Sequence, residues 1–137
     1  MTIEAKGQIR TAMQRVVLIV DDTEHLAATL EVALSGLPET EVVPASDGAE
    51  ALQMLDGGAA VCALVTDLRM PRMDGFELIE RVRADPRLAG LPIIAVSGDT
   101  DPGTPARARQ LGADAFFAKP FSPAGLRQAL VRLIGAR

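Results

Sequence analysis

The chain has little of what several protein classes need. It contains no tryptophan, no tyrosine and only four phenylalanines, and its net charge is −4. These absences exclude the basic, aromatic-bearing surface of a typical nucleic-acid-binding protein. No apolar run approaches the roughly 18 residues of a membrane span, and the N-terminus lacks a signal-peptide pattern. A single cysteine, Cys62, cannot form an internal disulfide and is expected in the core, so a cytoplasmic location is expected.

Five short apolar segments alternate with helical patterns along the chain. The predicted strands are residues 16–20, 41–45, 61–65, 92–96 and 113–118. Between them, apolar side chains recur at helical spacing, as Leu26, Leu30 and Leu34 do. This alternation predicts an α/β fold, a doubly wound five-stranded parallel sheet with five flanking helices. The domain is expected to span residues 15–137, after a flexible N-terminal extension over residues 1–14.

Individual residues mark the ends of these elements. Pro44 lacks a ladder donor, which places the second strand at a sheet edge. Asp47 and Asp74, each followed three residues later by a glutamate, are predicted N-caps. Thr104 is a candidate cap for a fourth helix of only about two turns, with Pro105 in its first position.

Polar residues follow four of the predicted strands. Because the carboxyl ends of parallel strands share one edge, these residues are expected to converge there. They are Asp21 and Asp22 after strand 1, Asp67 after strand 3, Ser97 after strand 4 and Lys119 after strand 5.

The predicted cluster is acidic and suits a hard cation. Two carboxylates about 4 Å apart repel by roughly 4 kcal/mol at an effective dielectric near 20. Three of them beside one lysine bind either a proton or a cation, and oxygen-only ligands favour Mg²⁺. The single histidine, His25, lies on the first helix and is expected to be a solvated surface residue.

Asp67 is placed to act as a nucleophile toward phosphorus. It is already ionised and needs no general base. Lys119 and Mg²⁺ would neutralise charge on the phosphoryl oxygens, and Ser97 would donate a hydrogen bond to one of them. Simpler readings stay open for each residue alone: Asp67 as the cap of a turn, Lys119 as a structural ion pair and Ser97 as a strand-end turn residue.

The motifs together resemble the receiver domain of two-component response regulators, over about residues 15–135. The matching pieces are Val-Asp-Asp at 20–22, Asp-Leu-Arg-Met-Pro-Arg-Met-Asp-Gly at 67–75, Ser-Gly at 97–98, Gly-Ala-Asp at 112–114 and Lys-Pro-Phe at 119–121. The resemblance implies strand order 2-1-3-4-5, as in other doubly wound folds. It also implies that Asp67 accepts a phosphoryl group from a phosphohistidine on a sensor histidine kinase or a histidine phosphotransfer protein.

The resemblance assigns further roles. Mg²⁺ would be held by Asp22, Asp67 and the backbone carbonyl of Arg69, with Asp21 acting through water. The domain would catalyse only its own phosphorylation and dephosphorylation, and would act on a downstream protein target.

A conformational switch is implied as well. Ser97 and Phe116 would form the switch pair, and the Lys119–Pro120 peptide would be cis. Two features depart from the family pattern: the proline-rich segment 102–105 disturbs the start of helix 4, and no effector domain follows Arg137. The receiver is therefore expected either to act alone or to be part of a longer chain.

Two other function classes would need residues that this chain lacks at the corresponding positions. A Mg²⁺-dependent phosphatase with an aspartate nucleophile needs an acid/base aspartate two positions later, where this chain has Arg69. A flavodoxin-like cofactor binder needs a phosphate loop after strand 1, where Asp21 and Asp22 would repel phosphate.

Overall fold

A computed structural model describes residues 15–57 and 60–135 of the chain. Its strands are β1 (Arg15–Val20), β2 (Thr40–Ala45), β3 (Val61–Asp67), β4 (Ile93–Ser97) and β5 (Ala115–Ala118). Its helices are α1 (His25–Ala33), α2 (Gly48–Asp56), α3 (Gly75–Ala84), α4 (Thr104–Leu111) and α5 (Pro123–Gly135), with a 3₁₀ turn at Pro86–Leu88. The predicted extension over residues 1–14 lies outside the described residues.

The five strands form one parallel sheet in the order β2-β1-β3-β4-β5, which confirms the predicted fold class. β2 lies at an edge, as Pro44 required, and Pro44 pairs in register with Ile19. The strand order reverses between β1 and β3. Open α/β sheets form their ligand-binding crevice at the carboxyl ends of the strands beside such a reversal.

Alternating side chains of the central strands fill a separate core on each face of the sheet. Leu18 and Val20 of β1 pack into the core that holds α2, α3 and α4, and that core buries Phe76. Val17 and Ile19 point to the other face, where α1 and α5 lie. The buried leucines on that face are Leu26, Leu30, Leu34, Leu126 and Leu130. Burial on both faces explains why these strands are continuous apolar runs.

The helix starts follow the predicted capping at two places and depart from it at a third. Asp47 and Asp74 each accept a hydrogen bond from the backbone N–H three residues ahead, at 2.9 Å. The predicted Thr104 cap is wrong. Gly103 is the N-cap and Thr104 is the first helical residue. The Thr104 hydroxyl donates to Asp99 Oδ2 at 3.0 Å, and Gly103 has no side chain with which to cap the helix. The helix does have the predicted two turns.

Arg83, in the last turn of α3, ties together the amino ends of β4 and β5. Its guanidinium donates to the carbonyl oxygens of Gly112 at 2.9 Å and Leu91 at 2.7 Å, and pairs with Asp114 Oδ2 at 3.1 Å. Asp114 also accepts the N–H of Ile93 at 2.8 Å. The prediction that β5 begins at residue 113 is therefore wrong. Asp114 precedes the strand and satisfies the first amide of its neighbour. We call this group, Arg83 with Asp114, the arginine clasp.

Candidate functional site at the carboxyl edge

Three aspartates meet where β1 and β3 end. Asp21 and Asp22 follow β1 directly, and Asp67 is the last residue of β3. One carboxylate oxygen from each lies within 4.8 Å of the others. Because β1 and β3 are paired neighbours in parallel register, the two chain segments must bring these side chains to the same edge.

The two aspartates after β1 have different surroundings. Asp21 is buried and accepts hydrogen bonds from the Thr23 N–H at 3.2 Å, the Thr23 hydroxyl at 3.1 Å and the Leu26 N–H at 3.1 Å. It therefore fixes the first turn of α1 as well as facing the cluster. Asp22 is exposed, and among residues 15–57 and 60–135 nothing donates a hydrogen bond to its carboxylate. Its oxygens are free to bind a ligand.

Asp67 is buried and is held from two sides. Lys119 Nζ lies 2.8 Å from Asp67 Oδ2, and the Arg69 N–H donates to Asp67 Oδ1 at 3.2 Å. Lys119 is positioned by its own backbone, whose N–H donates to the Ser97 carbonyl oxygen at 2.9 Å. The Lys119–Pro120 peptide that follows is cis. The Lys119 ammonium balances one of the three carboxylate charges.

The loop that follows Asp67 closes tightly on itself. Gly75, the first residue of α3, donates its N–H to the Leu68 carbonyl oxygen at 3.0 Å. A Cβ at Gly75 would lie 2.8 Å from the Leu68 Cα and closer still to the Asp67 carbonyl oxygen. Only glycine permits this approach of helix to strand. The start of α3 is thus packed directly on the backbone of Asp67.

The predicted switch residues lie on β4 and β5, the two strands that follow β3 in the sheet. Ser97, the last residue of β4, is fully buried, and its hydroxyl oxygen accepts the N–H of Asp99 at 3.0 Å. In the part of the chain that the structure describes, no hydrogen bond joins Ser97 to Asp67. Phe116 of β5 is half-buried and packs against the core that holds α3 and α4.

Two arginines of the loop after β3 form ion pairs with aspartates outside the three-aspartate cluster, and neither contact was predicted. Arg69 forms a short ion pair with Asp99, and its guanidinium lies 5.4 Å from the centre of the Phe76 ring. Arg72, at a positive φ of 66°, pairs with Asp47 Oδ2 at 2.7 Å. The spacing Asp99-Thr100-Asp101 before a Thr-Pro helix start was a local signal for a turn aspartate. Nothing in the sequence linked it to Arg69.

The pKa values of the partner aspartates reflect these contacts. The N–H of Asp101, the Arg69 guanidinium and the Thr104 hydroxyl together lower the pKa of Asp99 to about 2. The Glu50 N–H and the Arg72 guanidinium lower the pKa of Asp47. Burial raises the pKa of the half-buried Cys62 thiol, which fits a packing role for that residue.

The residues at this edge fit a magnesium ion. Opposite ligands of an octahedral Mg²⁺ stand about 4 Å apart, since each Mg–O distance is 2.0–2.1 Å. The three carboxylate oxygens lie within 4.8 Å of one another, so one ion can be reached by two of them directly and by the third directly or through water, and every donor is oxygen. The site opens into a cavity of about 550 Å³. Its wall includes Asp22, Asp67, Lys119 and the exposed His25.

Comparison with known proteins gives a consistent match. Residues 17–131 match the family model described as the response regulator receiver domain. The chain is 34% identical over 118 residues to chemotaxis protein CheY1 of Helicobacter pylori, covering 86% of this chain and 95% of the relative. It is 35% identical over 117 residues to chemotaxis protein CheY of Pseudomonas aeruginosa, covering 85% and 94%.

A solved structure agrees with the sequence relatives. The structure of Vibrio cholerae chemotaxis protein CheY4 superposes with a TM-score of 0.77 at 31% identity, covering 88% of this chain and 98% of that one. In the described ranges, 15–57 and 60–135, every helix is too short or too polar to cross a membrane.

Proposed function

Because the chain belongs to the response regulator receiver family, we propose that Asp67 accepts a phosphoryl group from the phosphohistidine of a sensor histidine kinase or a histidine phosphotransfer protein. The reaction depends on Mg²⁺. The phosphorylated domain then changes conformation and alters its contact with a downstream protein target. A cytoplasmic location is part of this proposal.

One observation carries the assignment to Asp67. Among the three clustered aspartates, Asp67 has both an ammonium partner, Lys119 Nζ at 2.8 Å, and a place in the wall of the cavity that a donor would enter. Asp21 is occupied by three hydrogen bonds that hold α1, and Asp22 lacks a cationic partner in the described ranges. Asp67 is therefore the carboxylate best prepared to attack a phosphorus atom.

The transfer needs little from the protein beyond position and charge. An oxygen of Asp67 forms a bond to phosphorus while the bond from phosphorus to the donor imidazole nitrogen breaks, and the imidazole leaves with its electron pair. Lys119, already beside Asp67, pairs with a phosphoryl oxygen as negative charge collects there. Ser97 donates its hydroxyl to another phosphoryl oxygen once the switch has occurred, and Phe116 turns inward behind it.

Mg²⁺ fits the acidic half of the site. Asp22, Asp67 and the Arg69 backbone carbonyl would bind it directly and Asp21 through water, as the three clustered carboxylates allow. When bound, the ion neutralises charge on the transferring group. The exposed Asp22 and its two acidic neighbours carry the charge that recruits the ion.

We propose that the domain is a signalling switch and not an enzyme acting on external substrates. Its only catalysis is its own phosphorylation and dephosphorylation. A phosphatase is disfavoured because position 69, two residues beyond Asp67, is an arginine whose side chain is turned to Asp99. We propose that the receiver domain spans residues 15–137.

The assignment is tested by intact-protein mass spectrometry after incubation with Mg²⁺ and acetyl phosphate. We expect the mass to rise by one phosphoryl group in the wild type and in Asp56→Asn, an exposed aspartate distant from the site, and not in Asp67→Asn. Chelation of Mg²⁺ should abolish the change. An unchanged wild-type mass, or modification of Asp67→Asn, would refute the assignment. Dependence of generic phosphomonoester turnover on Asp67 would favour the phosphatase.

A further inference from the structure

The carboxylate of Asp99 joins the two loops that flank Asp67. Its Oδ2 accepts from Nε of Arg69 at 3.1 Å, from a second nitrogen of the same guanidinium and from the Thr104 hydroxyl at 3.0 Å. Its Oδ1 accepts the N–H of Asp101 at 2.9 Å. Arg69 belongs to the loop after β3, and the other residues belong to the loop and helix after β4. Asp99 is therefore anchored from both loops at once.

This anchor also sets the position of the Ser97 hydroxyl. The backbone N–H of Asp99 donates to Ser97 Oγ at 3.0 Å, and Ser97 is fully buried. A buried hydroxyl keeps a hydrogen-bond partner, because losing one costs free energy. As long as the Asp99 carboxylate fixes its own backbone, Ser97 Oγ stays bound to the loop after β4.

We propose that Asp99 is a positioning residue: anchored by Arg69 and Thr104, it holds the Ser97 hydroxyl on the loop after β4 until Asp67 is phosphorylated. This inference rests on the proposed function of Asp67 and adds a residue pair that sets how readily the switch occurs. Movement of Ser97 toward a phosphoryl group then requires the Arg69–Asp99 ion pair to loosen.

The strength of the ion pair suits such a role. The Asp99 side chain is 17% exposed and that of Arg69 is 54% exposed, so solvent screens the pair on one side. Exposed pairs of this kind shift an equilibrium by up to about fivefold. Arg69 is also held over Phe76, which carries the guanidinium of Arg107 at 3.9 Å from its ring centre. The pair therefore biases the switch without locking it.

The chain offers a matched control. Arg72 lies in the same loop as Arg69 and forms the same kind of ion pair, with Asp47 at the start of α2, on the side away from Ser97. Arg72→Gln removes an equal charge from the same loop while leaving the Asp99 contacts intact. Asp99→Asn and Arg69→Gln weaken the proposed anchor, and Arg69→Gln keeps the backbone carbonyl of Arg69.

The test is titration of the full chain with beryllofluoride in the presence of Mg²⁺, followed by backbone amide NMR. We expect Asp99→Asn and Arg69→Gln each to bind beryllofluoride about three- to fivefold more tightly than wild type. The double variant should show no further gain, because both changes release one anchor. Arg72→Gln should match wild type. In the unliganded protein, hydrogen-exchange protection of the Asp99 amide should fall in the first two variants alone.

Three results would overturn the inference, and a fourth would refute the proposed function on which it rests. Unchanged or weaker binding in both Asp99→Asn and Arg69→Gln would show that the ion pair does not restrain Ser97. Equal gains in Arg72→Gln would assign the effect to loop charge. Failure of wild type to bind beryllofluoride at Asp67 would refute the proposed function itself, and unaltered protection of the Asp99 amide would refute the anchor independently.

Discussion

The two ends of the parallel sheet use charged side chains in opposite ways. At the amino ends of β4 and β5, the arginine clasp pairs one guanidinium with one carboxylate, and each of them also binds backbone groups. At the carboxyl ends of β1 and β3, three carboxylates cluster, and the ammonium of Lys119 pairs with one of them, Asp67. The first arrangement is balanced, and the second is not.

The two ends of the sheet are therefore expected to contribute differently to the stability of the fold. A partly buried ion pair that also binds backbone groups leaves those groups without their partner when one residue is removed, so the substitution is costly. Repulsion within a cluster of excess negative charge lowers the stability of the folded state slightly, and a bound cation removes that repulsion. We therefore expect substitutions of like kind at the two ends to change the free energy of unfolding in opposite directions.

The largest effect is expected at the arginine clasp. Arg83→Met removes hydrogen bonds to the carbonyl oxygens of Gly112 and Leu91 and leaves Asp114 without its guanidinium, so we expect a loss of about 3 kcal/mol in unfolding free energy. Urea denaturation measures it. Arg81→Met, which breaks an exposed pair with Glu77 on the same helix, should cost only about 0.5 kcal/mol. Equal losses in Arg83→Met and Arg81→Met would show that the arginine clasp contributes no more to stability than an exposed ion pair does.

At the carboxyl edge, Mg²⁺ should stabilise the protein. A hundredfold excess over its dissociation constant adds about 2.7 kcal/mol to the free energy of unfolding if the ion binds only the folded state. Thermal or urea denaturation with and without Mg²⁺ measures the increment. Asp22→Ala should lose most of it, whereas Arg83→Met should keep it despite its lower baseline. An increment that survives in Asp22→Ala would place the ion elsewhere.

A smaller effect compares the same substitution at both ends. Asp22→Asn relieves repulsion and should raise the unfolding free energy of the metal-free protein by up to about 1 kcal/mol. Asp114→Asn should lower it, because Asp114 pairs with Arg83 and accepts the N–H of Ile93. Urea denaturation in chelator measures both. A clear loss for Asp22→Asn would contradict the repulsion argument.

The smallest expected effect is a pH dependence near the clasp. The Arg87 guanidinium and N–H lower the pKa of Asp85, which follows α3. Its contribution to stability is therefore present above the ordinary carboxyl pKa near 4, and is lost as pH falls through the lower pKa of the folded protein. Both Asp85→Asn and Arg87→Gln should flatten the loss of stability on acidification below about pH 4. Urea denaturation at several pH values measures this. A dependence of unfolding free energy on pH that is identical in wild type and both variants would contradict the prediction.

The sheet and the position of the acidic cluster were predictable because both follow from short-range rules. Apolar runs of five residues mark buried strands, and parallel strands must end at one edge, so Asp21, Asp22 and Asp67 could be placed together from spacing alone. The Asp47 and Asp74 caps depend only on the three residues that follow them. Each of these inferences needs no knowledge of which loops touch.

The arginine contacts could not be predicted, because they join residues that are far apart in the sequence. Arg69 reaches a partner 30 residues away and Arg83 one 31 residues away. Several acidic residues were equally eligible in sequence, and the choice depends on how two loops are folded. Asp114 shows the same limit, because its side chain accepts the N–H of Ile93 where the residue pattern favoured a strand. Thr104 was misplaced because its hydroxyl binds Asp99 and not its own helix.

The close approach of Gly75 to the backbone after Asp67 has a consequence for variation. The two ends of the loop between Asp67 and Gly75 lie close together, because the Gly75 N–H donates to the Leu68 carbonyl oxygen. The tip of the loop can therefore change composition, and with it the partners that Arg69 and Arg72 select, while the base stays fixed. If Asp67 is the phosphorylation site, as proposed, changes at the tip of this loop alter the arginine contacts while the backbone beside the reacting carboxylate keeps its place.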